Sequence, residues 1–311
     1  MRAIVVRKFG APPELTDMPV PEPGPGAVRV QLEAAGVNPF DAKMADGFLD
    51  GKLPHDFPMI LGVDGAGVIA SVGPGVTRFA VGDRVVGKFL TPPAGHGSFA
   101  EYAVLPEAAT LVRIPEGVPT AAAAALPTAG VTAQDMVDAT KIEPGQTVLI
   151  VGATGGVGSF LVQLANMAGA NVIATARAAV ADQMTRLGAA ETVDYTAGSI
   201  RDQVGAAHPD GIDILYDLVG PPAAVAELTT LVRDGGTVYS TVFAADEDAL
   251  RARGIRGGNL ESSGRAPELA RLLDRVAEGD VVVPIDATLP LADGVTALGA
   301  TGARGKTVLT I

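Results

Sequence analysis

The chain has 311 residues, enough for two ordinary domains, and its 48% hydrophobic and 19% charged residues exclude a disordered polypeptide. A formal net charge of -12 argues against a nucleic-acid partner, because binding phosphates along a strand requires a basic surface. No cysteine is present, which removes disulfides, thiolate metal sites and a cysteine nucleophile.

The opening Met1-Arg2-Ala3-Ile4-Val5-Val6 reads as a strand and lacks the apolar core of a signal peptide. No apolar run reaches the ~18 residues of a membrane span, so a soluble cytoplasmic protein is expected, with no membrane partner. Residues 27–32 alternate as a strand does, and the proline- and glycine-rich stretch 19–26 before them reads as a loop. Further strands are expected at 67–73, 83–87 and 100–104, an all-β pattern. The texture changes near Pro119, where a helical region begins and runs to Thr140 with a break around Pro127.

From there the pattern alternates. Strands are expected at 147–151, 171–175, 191–194, 212–217 and 236–242, with helices at 159–168, 179–187 and 222–232 and a helical patch before 212. Such alternation predicts a parallel sheet covered on both faces. Residues 267–278 then form a helix with Leu269, Leu272, Leu273 and Val276 on one face, closed by Gly279, and 306–311 form a last strand. The expected fold is α/β, with a nucleotide-binding domain (118–261) inserted between two pieces of a β domain (1–117 and 262–311).

One segment carries chemistry. The β-branched run Val148-Leu149-Ile150-Val151 leads straight into Gly152, Gly155, Gly156 and Gly158, followed by a helical stretch that stops at Gly169. A buried strand, a glycine turn and a helix let main-chain amides approach a pyrophosphate, whose charge then sits at the helix N-terminus. The spacing is Gly152-x-x-Gly155-x-x-Gly158, one residue longer in the turn than the common G-x-G-x-x-G. The second strand of this domain ends in Thr175-Ala176-Arg177 with no carboxylate, and the next acid, Asp182, lies inside the following helix. An acid there would hold a ribose 2′-hydroxyl, whereas an Arg favours a 2′-phosphate, so the residues point to NADPH over NADH, with Arg177 as the phosphate partner.

Several segments together resemble the zinc-independent quinone oxidoreductases, the zeta-crystallin-like branch of the medium-chain dehydrogenase/reductase superfamily. They include Gly36-Val37-Asn38-Pro39-Phe40-Asp41, Gly62-Val63-Asp64-Gly65-Ala66-Gly67, Val81-Gly82-Asp83-Arg84-Val85, Gly97-Ser98-Phe99-Ala100-Glu101-Tyr102, Gly130-Val131-Thr132-Ala133, the glycine turn, Val193-Asp194-Tyr195, Tyr216-Asp217-Leu218-Val219-Gly220 and Gly305-Lys306-Thr307-Val308-Leu309. In order and spacing they cover nearly the whole chain. The resemblance implies a GroES-like β domain interrupted by a Rossmann domain, a site in the cleft between them, and hydride transfer from NADPH to a quinone or an α,β-unsaturated carbonyl. It also implies a homodimer.

Zinc-using relatives carry Cys where this chain has Asn38 and His where it has Val63, and the three histidines here, His55, His96 and His208, show no ligand spacing. No metal is expected. By the same resemblance Asn38 lies near the nicotinamide ribose and the substrate carbonyl, Thr132 lies beside the nicotinamide, and Tyr195 helps bind the 2′-phosphate. An Asn amide can donate to a developing oxyanion. Lys43, in the segment that begins at Asn38, is a secondary candidate for completing protonation, after solvent. The implied cofactor contacts are Gly152, Ala153, Thr154, Gly155, Gly156, Val157, Gly158, Thr175, Arg177, Tyr195 and Val219. Enoyl-thioester reductases of the superfamily often carry a tyrosine where this chain has Phe48, which weakens that alternative. A non-catalytic NADPH-binding structural or sensor protein is the other rival. A short-chain dehydrogenase is disfavoured, because the glycine turn is mid-chain and no tyrosine has a lysine four residues on.

Overall fold

A computed structural model of the chain describes residues 1–300, 302 and 304–311. Contacts divide it into two compact units, Met1–Val131 with Gly264–Ile311, and Thr132–Ser263.

The first unit opens with β1 (Arg2–Val6), β2 (Glu14–Asp17), β3 (Ala27–Val37), a short helix α1 (Pro39–Ala45), β4 (His55–Ile60), β5 (Asp64–Val72) and β6 (Arg84–Lys88). There follow β7 (Ala94–His96), β8 (Tyr102–Pro106), β9 (Leu111–Arg113) and the helix α2 (Thr120–Ala124). The helix α3 (Ala129–Thr140) carries the chain across the division into the second unit. That unit contains β10 (Thr147–Val151), α4 (Gly156–Met167), β11 (Asn171–Thr175), α5 (Ala181–Arg186), β12 (Glu191–Val193), α6 (Ile200–Ala207) and β13 (Ile212–Asp217). It continues through α7 (Pro222–Thr229), β14 (Val232–Ser240), α8 (Glu247–Ala252) and β15 (Arg256–Asn259). The chain then returns to the first unit with α9 (Ala266–Glu278), β16 (Ile285–Pro290), α10 (Gly294–Leu298) and β17 (Lys306–Thr310). Among the described residues no helix is long and apolar enough to cross a membrane.

The first unit is built mainly on antiparallel pairing, with β16–β17 and β4–β7 parallel. Its larger sheet runs β16-β17-β3-β5-β6-β9 with β8 added on β3, and a smaller sheet runs β2-β1-β4-β7. β3 buries Val28, Val30 and Leu32 by alternation, as a strand with one face on a core must. The last strand, β17, lies inside the larger sheet, pairing Leu309 with Ala35 of β3 on one side and Leu289 of β16 on the other. Residues 118–131 pack with this unit rather than beginning the nucleotide domain. A Cβ on Gly36 of β3 would stand 2.4 Å from the Ala124 carbonyl oxygen, so α2 lies directly on the strand, and a glycine permits it. The short strands β4 and β7, which pair in parallel, were not expected from the sequence. Prolines at 54, 58, 92 and 93 masked these short strands.

The second unit is a parallel sheet in the order β12-β11-β10-β13-β14-β15 with helices between the strands. β10 is flanked by β11 and β13, and Val148, Leu149 and Ile150 are fully buried, which explains their unbroken apolar run. In register, Val151, Asp217 and Ser240 end three neighbouring strands in a row. The fold is thus α/β, a GroES-like β unit interrupted by a Rossmann-like parallel sheet.

Candidate functional site

In the second unit the site is the turn after β10. Gly152 adopts φ 85°, a left-handed conformation that disfavours any side chain, and Val219 lies over it, with Cγ1 3.0 Å from where a Cβ would be. A Cβ on Gly158 would stand 2.3 Å from the Gly152 carbonyl oxygen and 2.6 Å from the Ala153 Cα. The first turn of α4 therefore presses directly on the loop. A Cβ on Gly155, the N-cap, would meet only the Gly152 oxygen, at 3.5 Å, so this side of the turn is open. No side chain caps α4, and its first amides point out of the helix end unsatisfied by any capping group. Ala153 is buried, while Thr154, Gly156 and Val157 are half-buried along the loop. The Thr175 hydroxyl at the end of β11 accepts a hydrogen bond from the Gly152 N–H at 3.0 Å and braces the turn. Open amides, close backbone approach and a helix N-terminus together fit a diphosphate.

Beyond β11, Arg177 donates from Nε to the Tyr195 hydroxyl at 2.9 Å, and its guanidinium carbon lies 5.7 Å from the centre of that ring. Both residues are exposed. The structure adds a carboxylate that the sequence reading missed. Asp194 accepts from the Ala178 N–H at 3.0 Å and from the Thr196 hydroxyl at 2.6 Å. The Thr196 hydroxyl and amide, the Ala178 amide and nearby Arg177 hold its carboxyl below the usual range, so it is anionic. The turn after the third strand thus places an anion near Arg177.

Two further loops at this end of the sheet are tied together underneath. Ser240 donates to Asp217 at 3.0 Å, and Asp217 accepts from the Gly220 N–H at 2.8 Å, although burial raises its pKa. Val219, 65% exposed, is held in place from below by these bonds. Thr132, on α3, is 7% exposed. Tyr216 is spent internally, donating to Thr140 at 2.7 Å, and burial lifts its phenol pKa well above the ordinary value, so it plays no acid–base part.

In the first unit, Asn38 is the N-cap of α1, with a reciprocal arrangement in which Asp41 accepts from the Asn38 N–H at 2.7 Å. Asp41 also accepts from the Val63 N–H at 3.0 Å. Lys306, the first residue of β17, donates from Nζ to Asn38 Oδ1 at 2.5 Å and to the Val37 carbonyl at 2.8 Å. Asn38 Nδ2 donates to Asp64 at 2.9 Å, and Asp64 also accepts from the Thr128 amide at 3.0 Å and hydroxyl at 2.6 Å. Asn38, Asp41, Asp64 and Lys306 are all under 5% exposed. Burial and then the neighbouring Asp64 push the Asp41 pKa up to about 7 against its amide donors and Lys306, and burial lowers that of Lys306.

Lys43 is not part of this cluster. It is exposed, with Nζ 6.0 Å from the centre of the Phe48 ring. Phe48 stacks edge-on against Phe40, centroids 6.0 Å apart, and Lys52 Nζ lies 4.1 Å from its ring centre. The sequence reading named Asn38 but not its partners. Their signal was a charge within an apolar strand, Asp64 in Gly62-Val63-Asp64-Gly65 and Lys306 in Gly305-Lys306-Thr307-Val308. Buried charges of that kind are rarely left unpaired. Among the described residues no group of three His, Asp or Glu side chains is placed to hold a metal ion, and an amide at Asn38 with an aliphatic side chain at Val63 offers no zinc donor set.

Residues 24–116 match the alcohol dehydrogenase GroES-like domain, and residues 156–264 match the zinc-binding dehydrogenase family. The chain is 32% identical to the quinone oxidoreductase of Pseudomonas aeruginosa, covering 97% of each. It is 30% identical to the chloroplastic NADPH-dependent alkenal/one oxidoreductase of Arabidopsis thaliana, over 99% of this chain and 79% of that one. The quinone oxidoreductase structure from Coxiella burnetii superposes with a TM-score of 0.90 at 28% identity, covering 100% of this chain and 99% of the other. Matches to chloroplast quinone oxidoreductase homologues of two plants span 61% of their length, and that to a third spans 55%. The chain belongs to the medium-chain dehydrogenase/reductase superfamily, in its zeta-crystallin-like quinone oxidoreductase branch.

Proposed function

We propose that this protein reduces a quinone or an α,β-unsaturated carbonyl with NADPH and without a metal. The observation that carries the reading is the turn at Gly152 to Gly158, whose backbone leaves room on one side only and ends in an uncapped helix. The names of the Pseudomonas and Arabidopsis relatives support the acceptor class. NADPH, when bound, supplies a hydride from C4 of its nicotinamide.

The work of the chain is to bind and orient. The loop amides from Gly152 to Gly158 and the first turn of α4 hold the diphosphate, with Thr175 bracing the loop and Val219 covering it. Arg177 and Tyr195 take the adenosine 2′-phosphate, the guanidinium as a charged donor and the phenol as its support. Thr132 steadies the nicotinamide end. Asn38 offers an amide hydrogen to the acceptor oxygen as charge develops there. Its Nδ2 has one firm partner, Asp64 at 2.9 Å, and one at the outer limit of a hydrogen bond, the Gly36 carbonyl at 3.4 Å. That second hydrogen is the one to be redirected. Solvent completes protonation of the enolate or of the hydroquinone oxyanion left by hydride transfer, with exposed Lys43 a secondary donor. Phe48 has no hydroxyl to give, which weakens the alternative of an enoyl-thioester reductase. Family resemblance also supports a homodimer.

The test follows loss of NADPH absorbance with a panel of naphthoquinones, benzoquinones and enones. Turnover of at least one class is expected. Tight NADPH binding with no acceptor reduced would instead favour the sensor reading.

A further inference from the structure

An amide side chain can be turned end over end with almost no change of shape, so its orientation is decided by its hydrogen-bond partners. At Asn38 the partners leave one choice. The Lys306 ammonium can only donate, and it sits 2.5 Å from Oδ1. The Asp64 carboxylate, already taking the amide and hydroxyl of Thr128 as donors, sits 2.9 Å from Nδ2 as an acceptor. Reversal would set an amide N–H₂ against an ammonium and a carbonyl against a carboxylate, two repulsive contacts in a dry setting. A Ser or Asn at either place could donate or accept and would not dictate the orientation.

Both partners are themselves fixed. Lys306 is held by the Val37 carbonyl at 2.8 Å, and Asp64 by the amide and hydroxyl of Thr128 at 3.0 and 2.6 Å. The three strands and loops that meet here are thus locked by groups of defined polarity. Each end of the Asn38 amide has one strong, charge-assisted bond. The remaining hydrogen on Nδ2 has only the Gly36 carbonyl at 3.4 Å.

We propose that Lys306 and Asp64 are positioning residues: their opposite charges set the Asn38 amide in one orientation and keep one of its hydrogens in reserve for the acceptor oxygen. The inference rests on the proposed role of Asn38 in reduction. It assigns no contact between Lys306 or Asp64 and the acceptor; both act through Asn38.

Double-mutant cycles test it. Lys306→Gln and Asp64→Asn each keep hydrogen-bonding capacity and approximate size while losing the fixed polarity, and each is combined with Asn38→Ala. Each single variant is expected to lower kcat by about tenfold or more, the usual scale for a misplaced oxyanion donor, with the NADPH dissociation constant changed less than about twofold. Added to Asn38→Ala, neither should lower kcat further, because residues that act through one group are not additive. Independent, multiplying losses would overturn the proposal, as would an unchanged kcat.

A second readout does not depend on turnover. The two side-chain amide protons of Asn38, identified in an NMR spectrum by their loss in Asn38→Ala, are expected to shift and exchange faster in Asp64→Asn and Lys306→Gln. Unmoved resonances in both variants overturn the clamp even if no acceptor is ever reduced. If instead the resonances move and the wild type reduces nothing, the clamp of Asn38 stands, and the reductase reading and the catalytic purpose of the clamp fall.

Discussion

The two polar centres of this chain are built in opposite ways. The turn at Gly152 is local: a strand, four residues of loop and a helix in unbroken sequence, made of backbone and of absent side chains. The cluster at Asn38 is assembled from residues 38, 41, 64, 128 and 306, made of side chains and charge. The first kind of site is sensitive to an added atom at Gly152 or Gly158, and the second to a lost charge. Substitutions should therefore fail differently at the two places.

The largest expected effect is at the turn. Gly158→Ala puts a Cβ 2.3 Å from a backbone oxygen, where no flexible group can give way. We expect a loss of about 2–3 kcal/mol in stability, the range for overpacking a close contact, and loss of measurable NADPH binding in a calorimetric titration. Normal binding by Gly158→Ala would break the contrast.

Next comes the pH response of the cluster. Asp41 has a folded-state pKa of about 7, above its ordinary 3.8, so protonation favours the folded state. Its contribution to stability is fully present below pH ~4 and is lost as pH rises to ~7. Denaturant titrations at a series of pH values should show this decline in the wild type and a flatter curve in Asp41→Asn. An identical slope in both would remove Asp41 from the account. Asp41→Asn should leave NADPH affinity unchanged, which sharpens the separation of the two centres.

The smallest effect concerns coenzyme choice. Arg177 favours a 2′-phosphate, and the anionic Asp194 close by opposes one. Asp194→Asn should tighten NADPH binding by about threefold relative to NADH, and Arg177→Ala should weaken NADPH by about tenfold while hardly altering NADH, as expected of one exposed charge each. Equal changes for both coenzymes would refute the assignment.

The contrast also explains what could be read from the sequence. Strands 147–151, 171–175 and 212–217 coincide with β10, β11 and β13, because strands buried on both faces must be apolar throughout. The glycine turn was legible for the same local reason. β15, Arg256-Gly257-Gly258-Asn259, was missed: at the edge of the sheet it has neither β-branched residues nor alternation, and its pairing with β14 alone makes it a strand. The strand expected at 236–242 proves to be 232–240, since its first residues, Arg233-Asp234-Gly235-Gly236, read as a turn. Lys306 and Asp64 each lie within a short glycine-flanked motif. Nothing within ten residues of either shows that they meet at Asn38, a relation that exists only once three distant segments have paired.

The inclusion of β17 between β16 and β3 has a consequence for biosynthesis. A nascent chain leaves the ribosome from its N-terminus, so residues 132–263 are complete and free to fold while β3 still lacks one neighbour. The larger sheet of the first unit closes last, when 306–310 emerge. Proteolysis of stalled nascent chains should find the inserted unit protected at lengths where the strand 27–37 is still cut, and simultaneous protection of both would reverse this order of assembly.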